Sequence, residues 1–126
     1  MTPAEVHRRA VELFNAGRAD DDERLALIDP DVIDHRSEGD AHGIDAWIAN
    51  RASGGGFQDL SVTIERNIAD GEYSTHRYTV RGTHTATGRR YEVLGLDMIR
   101  VRDGRIVEHW ALLDQAALSR QLELPA

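Results

Sequence analysis

The sequence predicts an α+β domain in which N-terminal helices cover one face of a long, curved antiparallel sheet. Two patterns carry that expectation. Up to about residue 50 the apolar side chains recur at helical spacing, whereas from Leu60 to Leu113 they alternate with polar ones at the period of a strand. Turns at Asp70-Gly71, Thr87-Gly88 and Asp103-Gly104 divide the second region into four strands joined as a meander. A long, strongly curved sheet covered in this way forms a cone with one small-molecule pocket between sheet and helices. The expected order is ααβαββββ with a short C-terminal helix.

Each element has a local cause. Thr2, Pro3 and Glu5 supply a capping box with proline at the first helical position. Val6, Ala10, Leu13 and Phe14 continue as an apolar stripe, and Gly17 can stop the helix. Asp20, Asp21 and Asp22 favour a second helix N-terminus, where the helix dipole stabilises negative charge. That helix is expected to carry Leu25, Leu27 and Ile28 and to end before Pro30, ahead of a short strand, Val32–His35. The polar stretch Arg36–His42 reads as loop, and Ile44, Trp47 and Ile48 mark a third helix. Ser53-Gly54-Gly55-Gly56 ends that helix and predicts a mobile loop. Leu60, Val62, Ile64 and Ile68 form one apolar strand face. Asp114 can cap a last helix containing Leu118 and Leu122.

Composition narrows the function. With 126 residues, 40% hydrophobic and 29% charged, the chain suits one domain, 1–126, with its own core. No apolar run approaches the ~18 residues of a membrane span. Met1–Glu5 has neither the basic flank nor the apolar core of a signal peptide, so the cytoplasm is the expected compartment. The net charge of −7 opposes a nucleic-acid or anionic-membrane partner. All 15 basic residues are arginine, which removes lysine Schiff-base and pyridoxal chemistry. The absence of cysteine removes disulfides and thiolate nucleophiles. The six histidines show no His-x-His or His-x-x-x-His spacing, so no metal is expected, and no other cofactor.

Seven strings, in order, resemble the nuclear transport factor 2-like superfamily, which includes ketosteroid isomerases and SnoaL-like polyketide cyclases. They are Phe14–Asp21, Asp29–His35, His42-Gly43, Arg81-Gly82-Thr83-His84, Leu96–Arg100, Arg100–Trp110 and Gln121-Leu122. The resemblance spans nearly the whole chain and implies a single SnoaL-like or ketosteroid isomerase-like domain with the cystatin-like α+β barrel, a cone open at one end. One fold hosts many activities, so the strings speak to fold before function.

Strand parity then sorts the candidates. His109, Ala111 and Leu113 are expected to face the pocket from the last strand, Gly95, Asp97 and Ile99 from the one before, and Arg77, Thr79 and Arg81 from the one before that. Trp110 and Leu112, together with His76, Tyr78 and Val80, are expected outside. Trp110, Tyr78 and Val80 would form an apolar outer face through which a homodimer packs. His35 is expected at the pocket mouth. The resemblance places His35 where ketosteroid isomerases carry their base, and Leu96-Asp97-Met98-Ile99-Arg100 where they carry a protonated aspartate that donates to an enolate oxygen. It also implies departures. The isomerase tyrosine falls near Ala10. The cyclases' acid falls at Ala111 and their pocket histidine at Asp97. The Asp-Arg-Asp set of the superfamily's epoxide hydrolases falls at Thr79, Arg77 and Ala111.

The expected activity is therefore cofactor-free proton transfer on a hydrophobic carbonyl compound, polyketide- or steroid-like, as an isomerase, cyclase or dehydratase. His35 is the expected base and Asp97 the acid or donor. Arg77 and His109 orient or stabilise the oxyanion, with Thr79, Trp47, Ala111 and Leu113 against the substrate. The open alternatives are a non-catalytic small-molecule-binding domain and an epoxide hydrolase-like enzyme; Asp97 with Arg77 as a structural ion pair, and Trp47 as core, are the corresponding plain readings.

Overall fold

The chain begins with the predicted capping box: the Thr2 hydroxyl accepts from the Glu5 N–H, and the Glu5 carboxylate accepts from the Thr2 N–H. It launches α1 (Pro3–Asn15), which buries Val6, His7, Ala10 and Leu13. The computed structural model describes residues 1–52 and 56–123. After α1 come α2 (Asp22–Leu25), β1 (Ile28–His35), β2 (Ala41–His42), α3 (Ile44–Ala52), β3 (Phe57–Asp70), β4 (Tyr73–His84), β5 (Arg90–Arg102), β6 (Arg105–Leu113) and α4 (Gln115–Leu122). Residues 53–55 of the expected glycine-rich stop lie outside the described residues.

The six strands form one open sheet in the order β2-β1-β6-β5-β4-β3. All neighbours are antiparallel except β1 and β6, which run parallel. This is the expected α+β architecture with two corrections near its start. The second helix is a single turn, and Leu27 and Ile28 are not on it. Ile28 pairs with Ile106, and the Ile106 N–H donates to the Leu27 carbonyl at 2.7 Å. Pro30 lies inside β1, where the register slips between Ile28 and Ile33, so its missing N–H removes no ladder bond. The other correction is β2, a two-residue strand within the expected loop, paired through Ile33–His42.

Ile68 departs from the predicted apolar face and is 73% exposed. Up to Ile64 the alternation holds, Val62 facing Val80 and Ile64 facing Tyr78. A bulge between Ile64 and Arg66 then adds one residue, and every later side chain of β3 changes face.

The register of β4 on β5 runs without a break from Tyr73–Arg100 to Thr83–Arg90. It places Ser74, His76, Tyr78, Val80 and Gly82 on the same face as Ile99, Asp97, Gly95, Val93 and Tyr91. Two of these cross-strand pairs join a glycine to a tyrosine. A Cβ on Gly95 would lie 2.5 Å from the Tyr78 ring, and one on Gly82 would lie 2.7 Å from the Tyr91 hydroxyl. Each ring therefore lies across the opposite strand where a side chain would otherwise stand, leaving the concave face hollow.

Two apolar clusters bracket that hollow. Val6, Ala10 and Leu13 of α1 pack on Val32, Ile99, Val101 and Ile106, with Trp47 from α3. Val80, Tyr91, Val93 and Leu122 form the other cluster beneath α4. Gly95→Ala is expected to cost about 1–3 kcal/mol by forcing the Tyr78 ring aside. Urea denaturation measures it, and a variant as stable as the parent would show that the ring is not held there.

Candidate active site

Asp97 on β5 is the polar centre of the concave face. It stands opposite His76 on β4 and Ala111 on β6, and α1 lowers His7 onto it from above. His7 Nε2 lies 3.0 Å from both Asp97 oxygens, and its Nδ1 lies 2.8 Å from Ser74 Oγ. The Asn67 amide donates to the same Ser74 oxygen at 2.9 Å. A chain of single donors assigns the protons: Asn67 gives to Ser74, Ser74 O–H gives to His7 Nδ1, and His7 Nε2–H gives to Asp97.

A second imidazole reaches the carboxylate from β6. His109 Nε2 lies 3.3 Å from Asp97 Oδ2, and its Nδ1 lies 2.8 Å from Asp34 Oδ1. Asp34, buried on β1, also accepts from Arg36 Nε at 3.3 Å. Trp47 presses edge-on to His109, with ring centroids 5.2 Å apart. The third imidazole, His76, is 1% exposed and stacks on His7 at 3.4 Å with the ring planes 6° apart. Its Nδ1 is 3.9 Å from Asp97 Oδ1 and has no hydrogen-bond partner among the described residues.

Protonation follows from these surroundings. Burial alone would raise the Asp97 carboxyl, but hydrogen bonds from His109 and His7 outweigh it and hold Asp97 below the usual carboxylate range. Asp97 is thus an ionised acceptor rather than the protonated donor expected from sequence. Burial, aided by the adjacent His7, pushes His76 down to about 4. Burial, aided by the Asp97 charge, pushes the Tyr78 phenol up to about 12, so it remains a donor at every ordinary pH.

Asp97, His76 and His109 open onto a cavity of about 340 Å³. Its other walls are mostly apolar: Val11 and Phe14 on α1, Tyr78 and Val80 on β4, Ala111 and Leu113 on β6, and Leu118 on α4. The size suits a small organic ligand, and the few convergent polar groups suit a site that orients it.

Residues 4–122 match the family model for SnoaL-like polyketide cyclases. The chain belongs to the SnoaL-like polyketide cyclase family. It is 28% identical to the aklanonic acid methyl ester cyclase DnrD of Streptomyces peucetius, over 98% of this chain and 92% of that protein. Its fold is similar to that of IdmH, described as a putative polyketide cyclase from Streptomyces antibioticus, with a TM-score of 0.82 and 31% identity over 98% of this chain and all of that one. A SnoaL-like protein from Jannaschia shares the fold at a TM-score of 0.84 and 20% identity, over 97% of this chain and 92% of that one.

Within this SnoaL-like site, the structure brings Asp97, His109, Ala111 and Leu113 together on the cavity. It does not bring His35, Arg77 or Thr79 there. The parallel register pairs Asp34 with His109 and His35 with Trp110, so Asp34 points inward and His35 outward. His35 instead stacks on Trp110 at 4.7 Å and bonds Asp40 at 2.9 Å and Glu108 at 2.8 Å. Arg77 is opposite Leu96 on the outer face, so it forms no ion pair with Asp97. Thr79 shares that face and donates to Glu65. Trp47 is core against His109 rather than cavity wall. Tyr78 and Val80, expected outside, line the cavity, and the outer apolar face is built from Leu94, Leu96 and Leu112 instead.

His7 and Asp34 escaped sequence reasoning, and His76, like Tyr78, was expected outside but lines the cavity. His7 carried a signal, since with Ala10, Val11 and Phe14 it forms an i, i+3, i+4, i+7 stripe. Ligand atoms of His7, His76 and Asp97, from three distant segments, lie within 4.8 Å of one another, a grouping no local spacing reveals. The stacked rings are nearly parallel, with centroids 3.4 Å apart, so their in-plane lone pairs do not converge on one ion.

These shifts predict an acid-sensitive fold. Between about 6.5 and about 4, the unfolded chain binds a proton that folded His76 refuses, so stability falls as pH drops through that window. Asp97, also depressed, acts in the same sense at lower pH. His35, raised by Glu108 and then Asp40, opposes both, since its contribution is present at low pH and lost as pH rises through its folded value. In His76→Leu the urea midpoint is expected to fall less steeply between pH 6.5 and 4 than in the parent. An unchanged slope would remove His76 as the cause.

Proposed function

We propose that the protein is a cofactor-free cyclase or isomerase acting on a hydrophobic, carbonyl-rich compound of the polyketide kind. The observation that carries this reading is an ionised carboxylate, Asp97, at one polar end of a mostly apolar cavity. The two histidines that keep it ionised also make it a weak base. Such a base suits carbon acids flanked by two carbonyls, whose protons leave easily, and these recur along a polyketide chain.

In the proposed step, Asp97 takes a proton from the carbon between two carbonyls, and the C–H electron pair becomes an enolate. Tyr78 O–H donates to the enolate oxygen where charge develops. The enolate carbon attacks a second carbonyl of the same molecule, one C–C bond forms, and the new alkoxide recovers the proton from Asp97. Without the attack, return of the proton at another carbon is an isomerisation. His7 and His109 hold the carboxylate in place, with Asp34 orienting His109. His35 and Arg77, outside the cavity, take no part, so the epoxide hydrolase-like reading lacks its arginine. The name of the Streptomyces peucetius relative, a methyl ester cyclase, accords with a polyketide-type substrate.

Hydrogen–deuterium exchange at the acidic carbon of an aromatic β-keto ester, followed by NMR, tests the step. The protein is expected to accelerate exchange, with a loss of about 100-fold or more in Asp97→Asn and a smaller loss in Tyr78→Phe. Exchange undiminished in Asp97→Asn would sink the mechanism. The second reading, a binding domain without catalysis, is favoured by Ala111, which stands where the resembling cyclases carry their acid. Tight binding with no exchange in the parent protein would establish it.

The outer sheet face supports a further part of the reading, a homodimer. Leu96 and Leu112 stand opposite each other at 49% and 73% exposure, beside Leu94, on a face no other element of the chain covers among the described residues. Light scattering is expected to give twice the 14.1 kDa chain mass and to give one chain mass for Leu112→Glu. A monomeric parent would exclude the dimer.

A further inference from the structure

Arg24 is 8% exposed yet lines the same cavity as Asp97. Its Nε donates to the Ala10 carbonyl at 2.9 Å and one terminal nitrogen to the Ala19 carbonyl at 3.2 Å. Its guanidinium lies 5.7 Å from the centre of the Phe14 ring, another cavity wall. These bonds use two of the five N–H donors of an arginine, and no carboxylate pairs with it among the described residues. Burial lowers its pKa, and Asp20 offsets this only from a distance. A buried cation held by carbonyls alone is costly unless something else compensates it.

We propose that Arg24 receives a carboxylate of the ligand, so that the substrate is an acid, its anionic group held away from the carbon that reacts. This inference rests on the cyclase or isomerase reading above and adds the class of substrate. A carboxylate offers two acceptors to the unused donors and forms charge-assisted bonds with them. The opposite end is closed to an anion, because Asp97 and Asp34 would repel it. The spacing follows from α1. Asp97 is held by His7, whereas Arg24 is held at Ala10 and Phe14, three and seven residues further on. At the helical rise the two groups are separated by roughly 5–10 Å along the helix. The ligand is therefore a fused or extended skeleton with an enolisable carbonyl at one end and an acid at the other. The net charge of −7 repels anions at long range, so any preference for the acid comes from the guanidinium locally.

Calorimetric titration with anthraquinone-2-carboxylate and with its methyl ester, two ligands of one skeleton, tests this. The acid is expected to bind the unaltered protein at least tenfold more tightly than the ester, and Arg24→Gln is expected to bring that ratio close to one while ester binding persists. Equal affinities in the unaltered protein would overturn the inference and leave the cavity reading standing. So would a ratio undiminished in Arg24→Gln. If neither ligand binds the unaltered protein, the cavity reading fails and this inference with it. Should Arg24→Gln not fold, Arg24→Lys keeps the charge without the forked donors; a reduced ratio supports the inference, and an unreduced one overturns it.

Discussion

Everything polar on the concave face is organised around one costly group, the half-buried carboxylate of Asp97. Partial burial disfavours its charge, and imidazoles from α1 and β6 within 3.0–3.3 Å offset that cost. Each imidazole in turn needs an acceptor or donor on its other nitrogen, which recruits Ser74 and Asn67 on one side and Asp34 and Arg36 on the other. The network therefore ties α1, β1, β3, β4, β5 and β6 to a single side chain.

The cavity beside that network is a consequence of sheet register. Gly95 and Gly82 leave room for Tyr78 and Tyr91 to lie across neighbouring strands, so the face is lined by rings lying flat rather than by side chains standing up. The uninterrupted β4–β5 pairing and the bulge in β3 decide which alternate residues turn inward. A slip of one residue in β4 would replace His76, Tyr78 and Val80 by Arg77, Thr79 and Arg81, and would put a charged wall where an apolar one stands.

That slip separates what could be read locally from what could not. Asp97, His109, Ala111 and Leu113 were legible because β5 and β6 alternate regularly along the part that carries them and the flanking hairpin is short. Arg77 was misplaced by a strand parity one residue out of phase, and His35 by matching a relative's position, whereas the face is set by pairing. Arg77 follows Leu96 outward through the β4–β5 register, and His35 follows Trp110 outward through the parallel pairing of β1 with β6. Ile68 shows the complementary failure, where an apolar residue in a regular pattern lands outside after a bulge. His7 and His76 are 69 residues apart in the chain, and no pattern of spacing could foretell that they stack.

By itself, the sequence determined the α+β class, the capping box at Thr2 and Glu5, the four long strands with their Gly-containing turns, and the family to which the chain belongs. These depend on hydrophobic period, caps and turn residues, all of which act within a few residues. Only the tertiary structure decided that Asp97 is an ionised acceptor among three histidines, that Asp34 rather than His35 faces inward, and that Arg24 lies buried on the cavity wall. Those facts depend on register, bulges and helix docking, where one residue of offset reverses the outcome and groups far apart in the chain share a single charge.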